Sequence, residues 1–426
     1  MIWLVGGMLF LMLVGIPIAY AIGIASLLYV VVLSDMSPLV VVQQICGGAD
    51  SLILVALPFF LLAGEIMNEG AITAKLTRFA LALIGPVRGG LSYVVITANV
   101  MVAMVSGAAI ANAAAVGSTM IPMMEKKGYP KEFAAALNAA AAIVGPIIPP
   151  SVGFIIYASV SGVSVGKLFL AGTVPGVILA LGMALVCGII ARQDNHPQGE
   201  SHDWREIWTS FCGALPGLFM PIIILGGIFG GLVTPTEAGG LAVVYGLLVA
   251  MFVYKTLTLK DIPRIFLMAA RRSTSILFII TCAACFGFLL SREVDTASFV
   301  QFFRVFENHP WLVMLSIIAV ILFLGTIMEG GSIMIILTPL LLPILRSYNI
   351  DPVHFGVTFQ IGIMVGLLTP PLGILLFVIA GVSDVPIKSI VRSLLPFYVV
   401  ILVIMLFVVF VPDISLWLVR LQGGNL

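Results

Sequence analysis

The chain has 426 residues, of which 61% are hydrophobic and 9% charged, and its mean hydropathy is +1.22. No water-facing surface can be assembled from that composition, so soluble domains are excluded and the chain is placed in lipid. With 20 Lys plus Arg against 19 Asp plus Glu, the formal net charge is +1 and no basic stripe exists to track phosphates, which excludes nucleic acid as a partner.

A spanning helix needs about 20 apolar residues, and roughly ten to twelve passes or half-passes are expected here. No positively charged region precedes the apolar opening Met1 to Val14, which reads as a first membrane segment, part of the run Leu4 to Leu33, and not as a cleaved signal. Pro58-Phe-Phe-Leu-Leu-Ala-Gly64 then leads into Glu65 and Glu69, read as scaffold contacts. Ser106-Gly-Ala-Ala-Ile-Ala-Asn112 is polar and glycine-bearing, the pattern of a hairpin tip. Alanine crowding at 112–117 and 134–142 permits close helix approach.

At Gly145-Pro-Ile-Ile-Pro-Pro-Ser151 the helix must break, because doubled prolines after glycine leave backbone groups without helical partners. Irregular backbone at membrane depth is tolerated where it lines a polar cavity; its carbonyls can bind Na+ and half-helix N-termini attract carboxylates. Gly162-Val-Ser-Val-Gly166-Lys167-Leu168 falls one residue short of a phosphate loop and lacks its Ser or Thr, so no ATP chemistry is expected. After the apolar run Leu168 to Ile190 comes the longest polar stretch, Arg192 to Trp208, read as a cytoplasmic linker.

The second half opens with Leu215 to Val233, where Gly226, Gly227, Gly230 and Gly231 form overlapping GxxxG spacings, followed by Thr234-Pro-Thr-Glu237. Cys282 and Cys285 form a lone CxxC in an apolar run and are assigned to packing. Gly325-Thr-Ile-Met-Glu-Gly-Gly-Ser332 is a second tip, and its Glu329 is an ionisable group in a membrane segment, which marks it as functional. A second break follows at Gly366-Leu-Leu-Thr-Pro-Pro-Leu-Gly373, then the apolar run Phe397 to Val411. The spacing of His196, His202, His309 and His354 offers no metal site, and no nucleophile and base pairing suggests a hydrolase.

Pro122, Gly145, Pro149, Pro150, Lys167 and Pro175 recur at Pro343, Gly366, Pro370, Pro371, Lys388 and Pro396, each displaced by 221 positions. The chain therefore divides into a first repeat, 1–191, a polar cytoplasmic linker, 192–210, and a second repeat, 211–426. Lys and Arg concentrate in cytoplasmic loops; a tracing with re-entrant hairpins puts 15 of the 20 inside and gives the halves opposite orientation. The expected fold is thus an all-α polytopic membrane protein of two inverted-topology repeats with re-entrant helical hairpins and broken transmembrane helices. Trp3, Trp204, Trp208, Trp311 and Trp417 sit near the ends of apolar runs as interfacial anchors.

Ser106-Gly107, Gly117-Ser-Thr-Met-Ile-Pro122, the two breaks, and Thr234-Pro-Thr-Glu-Ala238 resemble the large (M) subunit of tripartite ATP-independent periplasmic (TRAP) transporters over essentially the whole chain. The resemblance implies a multi-pass protein of the bacterial inner membrane, an elevator with scaffold and transport domains that is driven by Na+, two or more ions, without ATP. It also implies a small four-helix membrane subunit and a periplasmic substrate-binding protein as partners, and no enzymatic activity. Carried over to this chain, Ser106, Gly145, Ile148 and Pro150 belong to one Na+ site and Gly325, Gly366, Thr369 and Pro371 to another; Glu329, Ser151 and Asn112 lie near substrate. Where many members carry Ser-Gly-Ser-Ser, this chain has Ser106-Gly-Ala-Ala109. A carboxylate beside an anionic substrate favours a hydroxyl-rich acid such as sialic acid, with a C4-dicarboxylate as the other expectation. A self-sufficient Na+/carboxylate symporter is the alternative.

Overall fold

A computed structural model of the chain describes residues 2–50, 52–85, 87–198, 203–293 and 309–422. The expected outer charge Arg304 and the linker residues 199–202 lie outside the described residues. Among those described, all regular structure is helical except an isolated bridge between Arg88 and Gln198.

The first half runs α1 (Ile2–Leu13), α2 (Ile18–Leu33), α3 (Leu39–Ala49), α4 (Leu52–Glu69), α5 (Ile72–Ile84), α6 (Gly90–Ser106), α7 (Ala109–Lys126), α8 (Lys131–Ala142), a 3-10 turn at Gly145–Ile147, α9 (Val152–Ser161) and α10 (Val165–Gln193). The second runs α11 (Trp204–Phe229), α12 (Pro235–Leu248), a π turn at Val249–Val253, α13 (Ile262–Glu293), α14 (Pro310–Gly325), α15 (Gly330–Ser347), α16 (Pro352–Leu368), α17 (Ile374–Ser383), α18 (Ile387–Phe410) and α19 (Asp413–Leu421). Side-chain caps start several of them: Ser164 accepts from the Lys167 amide, Asp351 from Val353 and His354, and Thr234 with Glu237 closes a capping box.

Six described stretches are long and apolar enough to cross a bilayer, and two bent pairs raise this to eight, one of them Lys131–Ile147 with Val152–Ser161 at 41°. The expected ten to twelve passes or half-passes also count α1, α2, α6, α14, α16 and α17, which are apolar but hold shorter apolar stretches of 10–17 residues. α10, at 29 residues, is roughly 43 Å long at 1.5 Å per residue, more than enough to cross.

The repeat seen in the residues recurs in the helices. Both ends of α7 map onto α15 at a displacement of 221, and α8 with its 3-10 turn maps onto α16 likewise. After the breaks, α9 maps onto α17 at 222, a one-residue insertion. α8 and α16 form the centre: Phe133 to Ala142 and Val353 to Leu368 are buried on every side, so these helices carry no polar face. Around them the halves interlock. α7 packs on α17 and α9 on α15, so each returning hairpin helix rests on the post-break helix of the other half.

Candidate functional site

Each hairpin tip meets the break of its own half. The first is only Gly107 and Ala108, since α7 starts at Ala109 and Asn112 already lies one turn inside it. Gly107 adopts φ +59°, and a Cβ there would sit 3.0 Å from the Pro150 carbonyl oxygen and 3.0 Å from the Val152 nitrogen, so the tip presses its backbone on the break. Ser106 ends α6, and its side chain lies outside the described residues. A Cβ on Gly145 would fall 2.4 Å from the Ala103 Cβ and 2.8 Å from the Asn112 amide nitrogen. From α10, Gly172 and Gly176 approach Ile147 and Ile148 equally closely. The residues 141–151 are buried throughout.

At the second break, Gly325 and Gly366 touch through their backbones: a Cβ on Gly366 would lie 2.7 Å from the Gly325 Cα. The Gly373 amide donates to the Thr326 carbonyl at 3.0 Å, tying break to tip. Here the structure shifts the expected boundary. α16 continues helical through Gly366 to Leu368, and the break itself is Thr369 to Gly373. Gly366 contributes close approach, not chain reversal, and the Thr369 amide still donates to its carbonyl at 2.9 Å. Tyr398 on α18 donates to the Leu368 carbonyl, satisfying one of the groups left at the helix end. Unlike the first break, this one is open: Pro370, Pro371 and Leu372 are exposed.

Among the described residues, the carbonyls of Ile148, Pro149 and Pro150 accept no hydrogen bond, and neither do those of Thr369, Pro370 and Pro371. Both Pro-Pro bonds, Pro149-Pro150 and Pro370-Pro371, are cis. Unwound carbonyls without hydrogen-bond donors in a broken membrane helix are oxygens of the kind that can hold Na+, so the residue types fit a coupling ion.

Two substrate-side expectations meet different surroundings. The Ser151 hydroxyl donates to the Pro146 carbonyl at 2.5 Å and accepts from the Phe154 amide at 3.4 Å, so it bridges the break and caps α9. Glu329 is exposed and is the N-cap of α15, accepting from the Ser332 amide at 3.1 Å and its hydroxyl at 3.4 Å. Its carboxylate is thereby held at the N-terminus of α15, beside the second tip. Ile156 of α9 lies within reach of this cap, 3.2 Å from a Cβ on Gly331, so the second tip borders the first half's post-break helix.

An amide chain beside the first break was missed at the sequence level. The Asn99 Nδ2 donates to the Asn138 Oδ1 at 3.0 Å, and the Asn138 Nδ2 to the Ala113 carbonyl at 2.8 Å, joining α6, α7 and α8. Both side chains are fully buried, and isolated asparagines in apolar runs were the available signal. The acidic residues read as scaffold contacts pair or cap: Arg272 with Glu65 and Arg264 with Glu69 join α13 to α4, and Glu237 closes the α12 capping box. Cys282 and Cys285 are buried in an apolar cluster with residues of α1 and α2, and no group of three His, Cys, Asp or Glu able to hold a metal occurs among the described residues.

A sequence profile for the "Tripartite ATP-independent periplasmic transporter, DctM component" matches residues 5–414. Among similar proteins, the 2,3-diketo-L-gulonate TRAP transporter large permease protein of Escherichia coli is 36% identical, over 94% of both chains. The sialic acid TRAP transporter large permease protein of Vibrio cholerae and the C4-dicarboxylate TRAP transporter large permease protein of Rhodobacter capsulatus are each 34% identical, over 98% of both chains. In three dimensions the chain resembles the Alcanivorax borkumensis YdaH transporter, with a TM-score of 0.64 at 14% identity over 90% of this chain and 88% of that one, a likeness of fold.

Proposed function

The chain belongs to the DctM-component family, the large permeases of tripartite ATP-independent periplasmic transporters, and from that premise we propose that it imports an organic acid coupled to Na+ by an elevator movement. It is a multi-pass protein of the bacterial inner membrane and a permease subunit, not an enzyme; the family works with a small permease and a periplasmic binding protein. The proposed division is a first repeat at 1–191, a cytoplasmic linker at 192–210 and a second repeat at 211–426.

One observation carries the coupling: each break leaves carbonyls without a hydrogen-bond donor and is joined to a glycine-bearing tip, by Gly107 against Pro150 in the first half and by Gly325 against Gly366 in the second. On this reading Gly145, Ile148 and Pro150 with Ser106 line one Na+ site, and Gly325, Gly366, Thr369 and Pro371 the other. Two Na+ moved through 100 mV release about 4.6 kcal/mol, of which a monoanionic acid moving with them takes back about 2.3, leaving enough for about one and a half decades of accumulation. Substrate would enter beside Asn112, Ser151 and Glu329, its carboxylate toward the α9 N-terminus and its hydroxyls toward Glu329. That arrangement favours a polyhydroxylated acid, sialic acid first, over a plain C4-dicarboxylate.

The test is uptake of radiolabelled sialic acid, a C4-dicarboxylate and 2,3-diketogulonate into proteoliposomes containing the chain and its small permease. The expected result is uptake of one acid that requires both inward Na+ and the binding protein. Uptake without the binding protein would identify a self-sufficient symporter, and uptake indifferent to Na+ would remove the coupling sites.

A further inference from the structure

A cavity of about 370 Å³ lies away from both breaks, where the loop before α6 meets the last turns of α10. Arg88 and Arg192 stand at it, with Tyr93 and the side chains of Val87, Leu185 and Ile189 forming its walls. Those walls open outward: Leu185 is 63% exposed, Ile189 49% and Val87 45%, an apolar slope on a helix long enough to span the bilayer. Neither arginine has a carboxylate partner among the described residues; Arg88 donates to the Asn195 side-chain oxygen at 2.5 Å. The cavity is built, not incidental: a Cβ on Gly188 would strike the Tyr93 hydroxyl at 2.8 Å and one on Gly89 the Ala191 Cβ at 2.5 Å. Both arginines belong to the basic set that the charge distribution places on the cytoplasmic side.

We propose that this cavity binds the phosphate of an anionic phospholipid from the cytoplasmic leaflet, its acyl chain lying along Leu185 and Ile189. Two guanidiniums recognise a phosphate anion in forked geometry, and basic pockets at helix ends on this side are where anionic headgroups dock. A free phosphate ion would share the headgroup chemistry, but it has no use for the apolar slope, which selects the lipid. Binding also braces the linker between the halves. Arg88 pairs with Gln198 in the isolated bridge, and the Gly89 amide donates to the Pro197 carbonyl at 3.1 Å, so the headgroup and the linker share one loop.

The test is native mass spectrometry of the full chain with its small permease, titrated with phosphatidylglycerol, phosphatidylcholine or inorganic phosphate. The expected result is a phosphatidylglycerol adduct that weakens about thirtyfold in the double variant Arg88→Gln/Arg192→Gln, at about 1 kcal/mol per arginine and about 1.4 kcal/mol per decade. Leu185→Trp, at an exposed position that leaves both charges in place, fills the cavity and is expected to displace the adduct as well, which guards against misfolding of the double variant. Undiminished binding in both variants, equal binding of phosphatidylcholine, or competition by inorganic phosphate at matched concentration would each overturn the assignment.

Discussion

Replacing Gly366 by alanine tests the idea that tip and break form a cation site through backbone contact. The added Cβ would lie 2.7 Å from the Gly325 Cα, 2.9 Å from its carbonyl carbon and 3.1 Å from the Leu322 oxygen. All three are backbone atoms, so no rotamer change relieves the overlap and α14 must move away from α16. Overpacking of this kind costs about 1–3 kcal/mol, while alanine inside a helix returns up to about 1 kcal/mol relative to glycine. The fold survives and the tip is displaced. A ligand at 100 times its Kd stabilises by about 2.7 kcal/mol. For a 426-residue chain with an unfolding entropy of roughly 0.9 kcal/mol/K, that corresponds to a Tm rise on the order of 3 °C. Thermal unfolding in NaCl against choline chloride should show this rise in the parent chain and less than about 1 °C in the variant. Gly381→Ala, where a Cβ meets nothing within 4 Å, should keep the full rise. If Gly366→Ala keeps it too, close approach of Gly325 and Gly366 is not what builds the site.

Removing Arg272 leaves the Glu65 carboxylate, 6% exposed, without its partner; Arg272→Ala should destabilise by about 3 kcal/mol, the low end for a broken buried pair because the guanidinium is half exposed. Arg264→Ala, which breaks the more open pair with Glu69, should cost under about 1 kcal/mol, and thermal melts compare the two. Asn138→Leu strands Asn99 and should cost about 1–3 kcal/mol, whereas Asn99→Leu/Asn138→Leu should recover part of that loss because neither partner is then left unsatisfied. His196 is 4% exposed between Tyr129 and Phe133, and burial holds its imidazole below its ordinary value. The folded chain therefore binds this proton less readily than the unfolded chain, so its contribution is complete above about pH 6.5 and is lost as pH falls below that. His196→Phe should flatten the Tm profile in that acid window.

The Pro-Pro pairs were legible because proline removes a donor wherever it stands, and both mark non-helical backbone. Glycine was less legible. Gly145 and Gly366 occupy equivalent positions and both permit close approach, to Ala103 and to Gly325, yet Gly145 begins a 3-10 turn while Gly366 remains helical. Glu329 carried a different signal: a carboxylate in an apolar run marks a special position, and the structure makes it the N-cap of α15, accepting from the Ser332 amide. Asn99 and Asn138 stand 39 positions apart, and only the packing of α6 on α8 makes them partners. Apolar periodicity does not carry that information.

The two breaks share a sequence pattern but not an environment: 141–151 is buried, whereas 370–372 is exposed. In halves of opposite orientation the equivalent elements approach from opposite sides of the membrane, so a pathway that opened both breaks at once would leak the coupling ion. A transporter of the proposed kind must therefore keep its two breaks from opening to opposite sides at the same time. Crossed packing supplies a means: α7 rests on α17 and α9 on α15, so neither post-break helix can move without carrying the other half's hairpin with it. On the proposed reading the two breaks travel as one body, and the transport step is a displacement that carries both sites across together while preserving the contacts between Gly107 and Pro150 and between Gly325 and Gly366.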